Sequence, residues 1–213
     1  MVTRLAERAL PAWAPPWTGR AVLAAAAVAA IVAAAVTAGT ILGANGPADE
    51  AAPDDTYAAA PGCDTVPADT VESAVPGAAL EASEQGALPA ANGATCVWTS
   101  VDSADNAPRV LHVDFTANFT DESEEVSGAE IAAAQVEQLR ADASGGSVPA
   151  LGGSALVREA VPGDGTAEVA FVRGNLVVRV LYGGDADTGG EALSFDEARE
   201  GAVSVAEELA ADL

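Results

Sequence analysis

His112 and Asp114 come first, because an imidazole two positions from a carboxylate is the smallest unit of general acid–base chemistry a strand can carry. Residues two apart on a strand share a face, so Thr116 stands with them. Side chains on one strand face are expected to diverge rather than converge, and no nucleophile motif accompanies the pair. Ser154, in Gly-Gly-Ser-Ala-Leu, lacks the G-x-S-x-G elbow that exposes a nucleophile at a strained turn. No P-loop, dinucleotide fingerprint or defensible carboxylate pair is present, so no catalytic residue is assigned and the chain reads as a binding protein rather than an enzyme.

Asp185, Asp187 and Asp196 fall at positions 1, 3 and 12 of a run with Gly190 at position 6, which partly fits a calcium loop. Gly189 at position 5, Leu193 at position 9 and aspartate in place of the bidentate glutamate depart from it. A plain acidic loop is the simpler reading, and the chain is assigned no metal or other cofactor. Asp121, Glu122, Glu124 and Glu125 likewise read as a solvated loop ahead of a helix.

Composition sets the surroundings of these residues. The chain has 213 residues with 9 basic and 32 acidic side chains, a formal net charge of −23. Such a surface repels a phosphate backbone, which excludes a bare nucleic-acid binder, and it disfavours docking on anionic headgroups. Alanine supplies about a quarter of the residues and aromatics only 4%, so the 50% hydrophobic content overstates the material for a core.

Residues 21–42 carry no charge and consist almost wholly of Ala, Val, Ile and Leu, long enough as a helix to cross a bilayer at about 1.5 Å per residue. Arg4, Arg8 and Arg20 precede the run and acids follow it, which leaves residues 1–20 in the cytoplasm and exports everything after Leu42. The run exceeds the usual signal-peptide core, favouring a retained anchor over a cleaved secretory signal; either exports the same domain. The expected partners are therefore the cytoplasmic membrane through 21–42 and an envelope protein or small ligand. Residues 43–61, rich in Pro, Ala and acids, read as a solvated tether, and 62–213 as one domain.

Cys63 and Cys96 are the only cysteines, and in an exported domain such a pair is most simply a disulfide. Two buried thiols are the alternative; a metal site lacks companion ligands.

The pattern then predicts a helix over 68–75 entered through Asp64 or Thr65, strands over 95–101 and 109–119, a helix from Ser127 to about 143, a strand over 155–160, a hairpin turning at Gly174-Asn175, and a closing helix capped near Ser194 or Asp196. Leu111, Val113, Phe115 and Ala117 should face the core, as should Val169 and Phe171 opposite Val180 and Val178, while Glu168 and Arg179 are diagonal neighbours placed for a cross-strand ion pair, of modest worth if exposed. The order αββαβββα points to an α+β fold on an antiparallel sheet packed with helices, preceded by one transmembrane helix.

Pro61-Gly62-Cys63 before a short helix, Cys96-Val97-Trp98 opening a strand, Leu151-Gly152-Gly153-Ser154-Ala155, the VRGNLVVRVLYGG hairpin and the terminal AEELAADL coincide in one chain. Over residues 61–213 this pattern resembles an uncharacterised family of actinobacterial exported lipoprotein domains with a Cys…Cys-x-Trp signature, distantly akin to the PsbP-like α/β/α sandwich. The resemblance implies that fold, an envelope location and the Cys63–Cys96 pairing, and it implies no chemistry. A lipobox is absent here; the apolar segment stands in its place.

Overall fold

The computed structural model describes residues 49–100, 108–140, 145–160, 165–184 and 193–213. Contacts divide the chain into two compact units, Met1–Gly46 and Pro47–Leu213, and every described residue falls in the second. The apolar run 21–42 lies outside the described residues; among those described, no helix is long and apolar enough to cross a membrane.

The fold is α+β. Its frame is a six-stranded sheet of order β1-β2-β3-β6-β5-β4, formed by β1 (Ala79–Leu88), β2 (Ala91–Thr99), β3 (Arg109–Asn118), β4 (Leu156–Glu159), β5 (Thr166–Arg173) and β6 (Leu176–Gly184). Every neighbouring pair is antiparallel. Helices α1 (Ala68–Ala74), α2 (Gly128–Arg140) and α3 (Phe195–Asp212) complete it. Ser194 opens α3 through a reciprocal capping box with Glu197. Ser127 does the same for α2, its hydroxyl accepting from the Glu130 N–H while the Glu130 carboxylate accepts from the Ser127 N–H.

Alternation decides the faces. Leu111, Val113, Phe115 and Ala117 are fully buried together with Val169, Phe171, Val178 and Val180, under Val205 and Leu209 of α3 and Val71 of α1. The hairpin register is Arg173 opposite Leu176, Phe171 opposite Val178 and Val169 opposite Val180, as the Gly174-Asn175 turn requires. The reverse face of the same hairpin is also covered: Ala132 and Val136 of α2 bury Ala170, Val177 and Leu156. Helices thus cover both sides of β4–β6.

Three expectations change. The sheet has a strand that periodicity did not reveal: β1 is exposed at nine of its ten positions, so no apolar alternation marks it. Residues 52–61 are not a free tether, because Ala60 is buried, Tyr57 packs on the core and donates its hydroxyl to the Leu213 carbonyl, and Asp55 accepts from the N–H and hydroxyl of Thr120. Finally, the chain enters α1 by a 3-10 turn, Cys63–Thr65, and then Pro67, whose fixed φ suits a helix start.

Candidate functional site

Register brings the polar residues of the less covered face into two adjacent rows. Thr95, Asp114 and Arg179 lie side by side on β2, β3 and β6; His112, Leu181, Glu168 and Arg158 form the row beside them on β3, β6, β5 and β4. His112 and Asp114 do converge, with Nε2 3.0 Å from Oδ1, against the expectation that they diverge. The two side chains start about 6.6 Å apart along the strand, and the length of the imidazole spans that gap. The Thr95 hydroxyl donates to the same oxygen at 2.7 Å.

Asp114 is partly buried, and burial opposes its charge. Hydrogen bonds from His112 and Thr95, then the positive fields of His112 and Arg179, outweigh that cost and hold the carboxyl below the usual aspartate range. The carboxylate is therefore ionised at neutral pH and orients the half-buried imidazole. The hydroxyl in this network is committed to Asp114 rather than aligned on His112, so the pair lacks the nucleophile–base hydrogen bond that acyl transfer uses.

Glu168 and Arg179 are paired as the hairpin register suggests, but the carboxylate is buried and the pair is not alone. The Glu168 side chain is only 1% exposed; Arg158 donates Nε and Nη2 to Oε2 at 2.7 and 2.6 Å, and Arg179 donates Nε to Oε1 at 2.5 Å. Both carboxylate oxygens are occupied by guanidinium groups. Losing both arginines would leave the buried Glu168 charge uncompensated, at a cost of about 3–5 kcal/mol.

Beside this cluster the sheet opens into a cleft of about 450 Å³ between β1 and Arg179, floored by Gly86, Gly93, Thr95, Asp114 and Thr116. Gly86 and Gly93 face each other across β1 and β2 and contribute no side chain to the cleft. A Cβ on Gly93 would lie 2.7 Å from Leu88 Cδ1, which leans over it. On the opposite face a second cavity of about 800 Å³ separates α1 from the β1–β2 hairpin, with Val66, Val71, Leu80 and Trp98 among its walls.

The remaining sequence candidates scatter. Ser154 sits in the loop entering β4, at the far edge of the sheet from β2 and β3, where its carbonyl accepts from Arg140. Asp185 and Asp187 lie outside the described residues, and Asp196 occupies the first turn of α3, where its charge suits the helix dipole. Among the described residues no three His, Cys, Asp or Glu side chains gather as metal ligands. Asp121 is bound up in its own turn, accepting from Ser123 and the Glu124 N–H, and those bonds lower its pKa.

Cys63 and Cys96 form a disulfide that ties the 3-10 turn ahead of α1 to the buried side of β2. Asn175 is a contact that sequence reasoning missed. It is 2% exposed; its amide donates to the Tyr57 and Asn118 carbonyls, and its oxygen accepts from the Tyr57 N–H. A Gly-Asn pair signals only a turn, so nothing local announced that the asparagine would also hold residue 57.

No protein-family model, curated protein or solved structure matches the chain.

Proposed function

We propose that the chain is a single-pass envelope protein whose residues 62–213, together with the docked segment ahead of them, form a binding and interaction domain at the outer face of the cytoplasmic membrane, anchored by residues 21–42. The observation that carries the binding reading is the uneven cover of the sheet: α2 and α3 enclose β4–β6 on both sides, while β1 and the cleft beside it stay open. Location is supported separately by the disulfide, a bond that persists in oxidising compartments, and by the charge asymmetry around the apolar run. Helices on both faces of an antiparallel sheet agree with the PsbP-like α/β/α sandwich that the motifs suggest.

A topology assay on the full chain tests it. A C-terminal alkaline phosphatase fusion should be active and a fluorescent-protein fusion dark, with both cysteines protected from alkylation until reduced. Recovery of the chain in the soluble cytosol with free thiols would overturn the proposal.

A second reading, a carrier or sensor of a small apolar or lipidic ligand, is favoured by the cavity of about 800 Å³ between α1 and the β1–β2 hairpin, a volume within the range of small-molecule sites. Native mass spectrometry of the full chain, released from its own envelope in detergent, separates the two: a defined extra mass supports the carrier, a bare protein the interaction domain.

A further inference from the structure

The two edges of the sheet are finished differently. At the β4 edge the strand is four residues long, Ser147 bridges Leu156, and the Val157 N–H is taken by the Gly146 carbonyl. The β1 edge is ten residues long, with β2 as its only strand neighbour among the described residues. Its register breaks between Leu80 and Ala82, and from Ser83 to Leu88 the pairing with β2 is regular. That run presents a row of N–H and C=O groups outward with neither proline nor lysine, and its one charge is Glu84, beside the cleft.

The charge around this edge is one-sided. Residues 49–100 hold nine acids, Glu81 and Glu84 on β1 among them, and no Arg, Lys or His. A second copy would bring like charges together across the new ladder, which disfavours self-pairing. The cleft of about 450 Å³ is lined on this side by Glu84 to Leu88, where Gly86 contributes no side chain.

From these observations we infer that β1 is a strand-addition site for an extended basic segment of a partner protein, which pairs antiparallel or parallel with Ser83–Leu88 and sets a cationic side chain against Glu84. The inference deepens the binding-domain reading and rests on it. Main-chain hydrogen bonds give such a complex its affinity, and alternate side chains its selectivity. A side chain opposite Gly86 reaches the cleft, and one opposite Leu88 covers an apolar residue that is 48% exposed.

The test uses the full chain in detergent and three synthetic ten-residue probes: alternating Arg-Val, alternating Glu-Val, and the Arg-Val peptide with two central valines replaced by proline. Binding is read by fluorescence anisotropy and by amide hydrogen exchange. The Arg-Val peptide should bind and slow exchange within residues 83–88, the other two should not, and Glu84→Lys, an exposed change, should weaken binding by about tenfold. Equal binding of the proline-containing peptide, protection elsewhere than 83–88, or protection that grows with protein concentration in the absence of peptide would each overturn the inference. A photo-crosslinking residue at position 84 and another at position 97 in intact cells distinguish the two levels. Adducts only from 97 keep a binding domain and remove the β1 site; adducts from neither remove both.

Discussion

The β5–β6 and β1–β2 hairpins turn through two residues each, Gly174-Asn175 and Pro89-Ala90, yet one is packed on both faces and the other on one. β5 and β6 lie between α2 and α3, and their side chains alternate between two cores. β1 lies at the edge, held to β2 by its ladder and exposed at nine of its ten positions, while the disulfide ties the segment ahead of α1 to β2. The turns differ as well: Gly174 adopts φ 56° at no steric cost, whereas Ala90 holds φ 58° with a Cβ in the way. Stability is concentrated where both faces are enclosed, and the open half is where a ladder can still be extended.

The largest test of this contrast is Phe171→Ala, which empties a fully buried site between α3 and the sheet and should lower stability by about 3–5 kcal/mol in urea titration. Leu88→Ala, on the open hairpin, should change it by less than about 0.5 kcal/mol. Comparable losses at both positions would erase the distinction.

Replacing Cys63 and Cys96 together by serine releases a closed loop of 33 residues and should cost about 3.5–4 kcal/mol on the chain-entropy model. Beyond the loss of global stability, amides of 49–99 should exchange faster by local opening, while those of β5 and β6 follow global unfolding alone. Uniform acceleration would show that the two halves open as one.

Ala90→Gly removes the steric cost of the left-handed turn and should raise the denaturation midpoint by an amount worth about 1 kcal/mol, with β1 amides better protected. The smallest effect concerns Asp114. Its lowered pKa means that ionisation stabilises the fold above the unfolded-state value, and this contribution is lost as pH falls through the folded value. The stability difference between the protein and Asp114→Asn should thus be constant above about pH 5 and shrink in acid, and at this partly exposed site it should stay below about 1 kcal/mol.

Legibility in the sequence follows the same divide. The β5–β6 register, the core face of β3, the Ser127 cap, Ser194 as one of two candidate caps and the cysteine pair could be read because burial and backbone geometry leave a local mark: period-two alternation, a Gly-Asn turn, a capping residue ahead of a helical pattern. β1 was invisible because an edge strand with exposed faces has no apolar period. The docking of 52–61 was invisible because Asp55, Tyr57 and Ala60 find partners 32 to 118 residues away, at Thr120, Asn175 and Asn92. The candidate site was half readable: His112, Asp114 and the Glu168–Arg179 pair were named, while Thr95 and Arg158 join them only through cross-strand register.

By itself the sequence determined the charge, the apolar run at 21–42, the α+β class and most strand faces, since each is a property of residues near one another in the chain. Only the tertiary structure decided which edge of the sheet is closed and which is open, that Glu168 sits between two arginines away from water, and that His112 leans onto Asp114. Those outcomes depend on which strands become neighbours and where α2 ends, and long-range packing sets both.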